Sequence, residues 1–168
     1  MRFREATIRR LKLFRRDERG VQLVELAIVI PIFLVLFATV GEFGRFFYEY
    51  TTLAKGTRVG SRFLINKCFP GNDDAAAKNL VVYGNTSGSG APVVKGLTTD
   101  NVSIIRKNAG GAVMTVGVPE TVTVQIINYK YEPVFDLGKM FNSSTLSLNI
   151  DVKPSVTMRH LLTQPCLP

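Results

Sequence analysis

The stretch GVQLVELAIVIPIFLVLFATVG, residues 20–41, decides how the N-terminal part of this chain folds. From residue 26 to residue 41 no side chain is ionisable. As a helix, residues 21–40 rise about 30 Å, which is close to the hydrocarbon thickness of a bilayer. A cleaved secretory signal fits less well, because its apolar region is typically shorter and ends at a small-x-small cleavage site. The stretch therefore predicts one transmembrane helix over residues 21–41.

The basic charge of the chain is concentrated in its first 20 residues. The 168 residues carry a net charge of +8, and residues 1–20, MRFREATIRRLKLFRRDERG, contribute +5 of it from eight basic and three acidic side chains. Residues 21–168 hold 13 basic and 10 acidic side chains and contribute only +3. Basic residues directly before a span favour the cytoplasmic side, so residues 1–20 are predicted to be a cytoplasmic leader. An excess confined to a leader argues against a nucleic-acid partner.

Two residues inside the predicted span are candidates for function, Glu25 and Pro31. A charged side chain costs about 2.5–3.5 kcal/mol at the bilayer centre, so an intramembrane carboxylate suggests a functional role. The alternative is that Glu25, six residues after Arg19, reaches the wet interface by snorkelling. Pro31 lacks an N–H group and predicts a kink near Ala27. Neighbouring helices can satisfy the freed backbone groups, although proline is also common in membrane helices generally.

The helical pattern continues past the membrane as an amphipathic extension over residues 42–67. Counted from Val21 to Asn66, one helix would extend about 69 Å, more than twice the bilayer core. Its outer half is predicted either to cover the sheet of a soluble domain or to contact helices of other subunits. The predicted packing face holds Phe43, Phe46, Phe47, Tyr50, Leu53, Ala54, Thr57 and Gly60, and the predicted polar faces hold Glu42, Arg45, Glu49, Lys55, Arg58 and Arg62.

Residues 68–168 are predicted to form one extracytoplasmic, antiparallel, β-rich domain. Residues 74–80 predict a short helix. Strands are predicted over residues 102–107 and 112–118 as a hairpin around residues 108–111, and over residues 121–132. Residues 146–153 alternate apolar and polar side chains, and residues 156–161 continue the pattern after Pro154. The predicted fold class is α+β, with the long N-terminal helix packed on a small antiparallel sheet.

The cysteines, Cys68 and Cys166, open and nearly close the predicted exported domain. Two cysteines outside the cytoplasm favour a disulfide between them. Such a bridge would close a loop of about 100 residues and constrain the unfolded chain by up to about 4.7 kcal/mol. Two free thiols and an intermolecular bridge are the alternatives.

Motifs for catalysis are missing from the sequence. It contains no phosphate-cradling glycine loop followed by lysine, no GxSxG and no paired-histidine motif, and His160 is the single histidine. Residues 72–74 lack the alternating ligands and final glutamate of an EF-hand, which favours a turn or helix start. Tyr129, Tyr131 and Phe135 are predicted to be core aromatics. The sequence therefore predicts no enzyme, no metal and no cofactor.

Several segments resemble the TadE-like minor pseudopilins of tight-adherence (Tad, or Flp) pilus systems. They are RRDERG at residues 15–20, VQLVELAIVIPIFLVLF at 21–37 and GEFGRFFYEYTTLAKGTRVGSRFL at 41–64. YKYEPVF at 129–135 and VTMRH at 156–160 are similar in outline. The spacing from Gly20 to Glu25 is not distinctive alone, since Gly44 and Glu49 repeat it. The context of Gly20, between a basic leader and a long apolar helix, distinguishes the two.

This resemblance implies a processed pilus subunit. A prepilin peptidase would cut between Gly20 and Val21 on the cytoplasmic side, and Glu25 would pair with the new ammonium of a neighbouring subunit and set register. The implied partners are that peptidase, other pilins and minor pseudopilins through the N-terminal helix, and the inner-membrane assembly platform. The alternative is an unprocessed bitopic inner-membrane protein whose extracytoplasmic β domain binds a ligand or secretion partner.

Overall fold

A computed structural model describes residues 18–69, 73–140 and 142–162. The helices are α1 (Glu18–Leu64), α2 (Asp73–Tyr83) and α3 (Leu137–Met140), and the strands are β1 (Val102–Lys107), β2 (Thr121–Ile126) and β3 (Ser155–Arg159). Short 3-10 turns cover Thr99–Asn101 and Ser144–Leu146. The strands form one antiparallel sheet in the order β1-β2-β3. The predicted α+β arrangement, a long apolar N-terminal helix and a small antiparallel sheet, is confirmed.

The chain divides into two compact units, the first ending at Gly41 and the second beginning at Glu42. In the described part of the first unit, α1 is apolar and most of its large side chains are exposed. Its hydropathy and length make it the one helix of the described residues that is apolar enough to cross a membrane. A helix that is apolar all round needs an apolar environment, and a bilayer supplies one.

In the second unit, the outer half of α1 lies against α2 and the sheet. Leu53, Thr57, Ser61 and Leu64 are buried. A Cβ atom added at Gly60 would lie 2.6 Å from Val81 Cγ2 of α2, so glycine permits the close approach of these helices. The Ser61 hydroxyl donates to the main-chain oxygen of Val156 in β3 at 3.2 Å. This face of the helix therefore covers the domain.

Strand β2 supplies the centre of the core. Its burial alternates, with Val122, Val124 and Ile126 facing inward. The register pairs Val124 with Ile104 of β1 and with Val156 of β3. The core also includes the rings of Tyr129 and Tyr131, as the sequence predicts for these aromatics. Aliphatic residues of α2 and of the loop that follows it complete the core: Ala77, Val81, Val82, Val94 and Leu97.

Three strand predictions need correction. Residues 112–118 form no strand, because the turn closes through Asn108 and pairing is limited to one bridge between Lys107 and Val113. Gly117 then takes a φ of +94°, which a regular strand does not use. The strand predicted over residues 121–132 ends at Ile126, and Asn128 has a φ of +53°.

Residues 146–153 are also not a regular strand. They begin in a 3-10 turn and make one isolated bridge, between Lys130 and Asp151. Leu146 and Ile150, which were predicted to share a buried face with Val152, are exposed, whereas Val152 is buried. The Ser147 hydroxyl donates to Asp136 at 3.1 Å, and this local bond holds the segment in a loop geometry.

The packing face of α1 differs in part from the predicted one. Phe43, Phe47 and Tyr50 are exposed, whereas Glu42, predicted on a polar face, is 4% exposed. The inward positions recur at 42, 46, 49, 53, 57, 60 and 64, of which Phe46 and Glu49 are half-buried. Phe46, Leu53, Thr57 and Gly60 were predicted on this face, and Glu42 and Glu49 lie where Phe43 and Tyr50 were expected.

Candidate functional site

The predicted processing site lies at the beginning of the described chain. Gly20 is within α1, and a Cβ atom added there would meet nothing within 4 Å. Val21 is exposed. The leader over residues 1–17 lies outside the described residues, and cleavage after Gly20 stays a prediction.

Glu25 is an exposed residue of α1. Among the described residues, its carboxylate has no hydrogen-bond or ion-pair partner, so its proposed registration role depends on a group outside this chain. Helix α1 continues through Pro31 without a break in its assignment, and the predicted kink stays a prediction. Cys68 is described, but Cys166 lies outside the described residues, so the predicted bridge also stays a prediction.

The structure reveals a buried carboxylate that the sequence did not single out, Glu42. The Tyr131 hydroxyl donates to Glu42 Oε1 at 2.6 Å. The backbone N–H of Val134 donates to Oε1 at 3.0 Å, and that of Phe135 donates to Oε2 at 3.2 Å. Arg45 Nη1 lies 3.5 Å from Oε1. Glu42 therefore ties the first turn of the folded unit to residues 131–135, which are remote in sequence.

The electrostatics of this cluster favour the ionised carboxylate. Burial alone would raise the pKa of Glu42, but the hydrogen bonds from Tyr131, Val134 and Phe135 and the charge of Arg45 outweigh it and lower that pKa. Burial, together with bonding to Glu42, raises the pKa of the Tyr131 hydroxyl, which stays a proton donor. The cluster thus holds a negative charge with its donors already in place.

A second carboxylate, Glu49, lies two turns further along α1. The Tyr129 hydroxyl donates to Glu49 Oε2 at 3.1 Å, and Arg45 Nη2 lies 3.7 Å from Oε1. Burial and the charge of Glu49 raise the pKa of Tyr129. Glu42 pairs with Tyr131 and Glu49 pairs with Tyr129, so two carboxylate–tyrosine pairs join the same two elements.

A cavity of about 540 Å³ opens beside these pairs. Charged side chains of α1 and of two loops line it, together with glycine, proline and valine residues. The lining residues are Arg45, Glu49, Lys95, Gly96, Asn128, Tyr129, Lys130, Glu132, Pro133 and Val134. Mixed charge and an open mouth suit a polar headgroup or peptide rather than an enclosed apolar ligand.

His160 is buried at the opposite end of the sheet. No polar atom of the described residues bonds its Nδ1. Burial, aided by the charge of Arg106, lowers the pKa of His160, so the ring is neutral at pH 7. Arg106 itself pairs with both oxygens of Asp74 and stacks over the ring of Phe69. Within the described residues, no group of three or more His, Cys, Asp or Glu could hold a metal ion.

Sequence reasoning missed Glu42 because a glutamate beside a predicted membrane boundary suggests a hydrated side chain. A signal was nevertheless present. Residues 42, 46, 49 and 53 fall on one helical face, and the two tyrosines at 129 and 131 share one face of an extended segment. Tyrosine hydroxyls are natural donors to a buried carboxylate.

The comparisons with known proteins bear on the helix. A family model described as TadE-like protein matches residues 20–62. No curated protein and no solved structure matches the chain. The TadE-like family is a structural and assembly family of Tad pilus systems, and the match supports involvement of this chain in such a system in general terms. The predicted resemblance is therefore confirmed, and the region of residues 20–62 is TadE-like.

Proposed function

We propose that this protein is a minor pseudopilin that acts in the assembly, initiation or tip formation of a Tad (Flp) pilus used for surface adhesion. The carrying observation is the TadE-like helix, which is apolar and exposed up to Gly41 and then packs on a sheet within a second compact unit. That construction suits a subunit held in a membrane by one half of a helix while the other half belongs to a folded domain.

Each part of the chain then has a location and a role. The N-terminus lies in the cytoplasm and the folded unit in the periplasm of a bacterial inner membrane. A prepilin peptidase cuts after Gly20, and Val21 carries the new ammonium. Glu25 then pairs with the ammonium of a neighbouring subunit, because a charge in a low-dielectric environment is stabilised by an opposite one. Other pilins, minor pseudopilins and the assembly platform are the partners, and the subunit is incorporated into the extracellular pilus.

The alternative is an unprocessed bitopic inner-membrane protein whose periplasmic domain binds a ligand or a secretion partner. The open cavity beside Glu49 favours this second candidate, because its lining offers both charges. Processing at Gly20 separates the two functions.

The decisive experiment compares two glycines in cells that carry the cognate peptidase. A Cβ atom at Gly20 or at Gly44 would meet nothing within 4 Å, so neither substitution to alanine creates a clash within the chain. Gly44 also lies five residues before a glutamate, as Gly20 does. Mass spectrometry of the mature N-terminus should find Val21 first in the parent and in Gly44→Ala, and Met1 first in Gly20→Ala. Intact Met1 chains in the parent would refute processing.

The bridge between Cys68 and Cys166 has its own test. Exported protein is alkylated with and without reduction, and its mobility is compared. We expect no alkylatable thiol before reduction and two after it. Two reactive thiols in the unreduced monomer would contradict the intrachain bridge.

A further inference from the structure

The second unit carries an exposed apolar and basic surface at the end that begins with Glu42. We call it the basal surface. Val134 is 80% exposed, the highest value among the large hydrophobic residues described. The basal surface consists of four exposed apolar residues and three cavity cations: Val134, Met140, Leu146 and Ile150, and Arg45, Lys95 and Lys130. Glu49 and Glu132 line the same cavity.

Covalent continuity places this surface close to the end of the predicted span. Gly41 and Glu42 are joined by one peptide bond, so their Cα atoms are about 3.8 Å apart. The Glu42 carboxylate accepts the N–H groups of Val134 and Phe135 at 3.0 Å and 3.2 Å. The N–H of Tyr131 donates to the main-chain oxygen of Ile150 at 3.0 Å, which brings the second part of the apolar segment to the same end. Val134 and Phe135 are thus held beside Glu42, the residue that directly follows the predicted span.

Two of the three cations of the basal surface form no ion pair within the described residues. Within the described residues, neither Lys95 nor Lys130 forms an ion pair. Arg45 makes two long charge contacts, 3.5 Å to Glu42 and 3.7 Å to Glu49. Glu49 is bonded to Tyr129, and within the described residues the two lysines line the cavity without an ion pair to Glu49 or Glu132.

We propose that the basal surface docks on the lipid surface of the membrane that holds α1. Val134 and its apolar neighbours enter the boundary between headgroups and acyl chains, and Arg45, Lys95 and Lys130 bind lipid phosphates at the cavity. This inference rests on the proposed membrane anchorage. Interfacial binding of this kind combines buried apolar area with attraction of basic side chains to anionic headgroups. The long lysine side chains can lie along the apolar rim while their ammonium groups reach phosphate.

The lipid surface is favoured over a protein partner because the tether supplies it to every copy of the chain. Docking would convert a helix with a domain at its end into a domain held against the bilayer, and would orient the unit before any subunit contacts it. The far end of the unit also exposes valines, but those lie beside the C-terminal end of α1. There Leu161 N–H donates to the main-chain oxygen of Ile65, about 35 Å along the helix from Glu42.

The absence of tryptophan from the sequence permits a direct test. The full chain carrying Val134→Trp is reconstituted in nanodiscs that contain anionic lipid brominated in the upper acyl chain, and its emission is compared with unbrominated discs. The matched control is Val116→Trp, in the connection between β1 and β2, since Val116 is 73% exposed and lies at the far end. We expect a blue-shifted emission and strong quenching at position 134, and neither at position 116.

A reference variant separates this inference from the proposed anchorage. Phe33→Trp places the reporter within the predicted span. Quenching at position 33 without quenching at position 134 would overturn membrane docking and leave the anchor intact, and this is the result expected if a protein covers Val134. Absence of quenching at position 33 would refute the anchorage itself, and docking with it.

The role of the cations is tested in the Val134→Trp chain. Lys95→Gln with Lys130→Gln should reduce the quenching in anionic discs, whereas Lys55→Gln with Lys107→Gln, both exposed and outside the cavity, should leave it unchanged. Equal quenching in the two double variants would refute phosphate binding at the cavity.

Discussion

The two halves of α1 differ in the surroundings of a carboxylate that each contains, Glu25 and Glu42. Glu25 lies in the apolar half, exposed and without a partner among the described residues. Glu42 begins the packed half and accepts one hydroxyl and two backbone N–H groups. A carboxylate whose donors are supplied within its own chain stabilises that chain, whereas one without them contributes no such bond to the fold. The same helix therefore holds one carboxylate that stabilises the fold and one for which we propose the registration role.

The largest expected effect on stability comes from removing the carboxylate of Glu42, compared with removing that of Glu25. Glu42→Ala leaves the Tyr131 hydroxyl and two backbone N–H groups without their acceptor, and should lower the free energy of unfolding of the second unit by about 3 kcal/mol. Glu25→Ala should leave that free energy unchanged, because Glu25 bonds nothing in the unit. Denaturant unfolding in detergent, followed by tyrosine circular dichroism, measures both. Equal losses would contradict the division of roles.

Substitution of Gly44 and of Gly60 by alanine should change the free energy of unfolding in opposite directions. Gly60→Ala brings a Cβ atom to 2.6 Å from Val81 Cγ2. It should destabilise the unit by about 1–3 kcal/mol through overpacking. Gly44→Ala meets open space and should stabilise helix α1 by up to about 1 kcal/mol. In the same unfolding measurement, the double variant Gly60→Ala, Val81→Ala should lose less free energy of unfolding than the sum of the two single variants. Additive losses would show that this contact is not the cause.

The two carboxylate–tyrosine pairs should differ less. Tyr131 bonds a nearly inaccessible carboxylate, so Tyr131→Phe should cost about 2 kcal/mol, whereas Tyr129→Phe, whose hydroxyl lies beside the open cavity, should cost about 1 kcal/mol. Denaturant midpoints, compared at a constant m-value, give the order of the two losses in stability. A larger loss for Tyr129→Phe would show that Glu49 rather than Glu42 is the main junction.

The smallest effect is a pH dependence with two sources. The pKa of His160 is lowered from its ordinary value of 6.5, so the unfolded chain binds that proton first and stability falls as pH drops below about 6.5. The lowered pKa of Glu42 contributes stability above its ordinary value of 4.5, which is lost as pH falls through its folded-state pKa. His160→Gln should remove the upper step alone when unfolding is measured from neutral pH downward. Persistence of both steps would assign the upper one to another group.

The sequence predicted the long helix and the edge strand β1 well. Helix α1 was expected from residue 21 to about Asn66 and is observed over Glu18–Leu64, because uninterrupted apolar and then amphipathic spacing leaves little choice of structure. Strand β1 was predicted at its observed bounds. The alternation of residues 146–153 was misleading, since Leu146 and Ile150 remain exposed and the Ser147–Asp136 bond fixes a loop.

By itself, the sequence determined the membrane-length helix, its TadE-like character and the fold class, because these depend on composition and spacing along one local element. Only the tertiary structure decided which face of α1 is buried and that Glu42 lies in the core. The reason is that a buried carboxylate is stable only when donors from elsewhere in the chain surround it. Those donors, Tyr131, Val134 and Phe135, lie about 90 residues away and are brought to Glu42 by the fold alone.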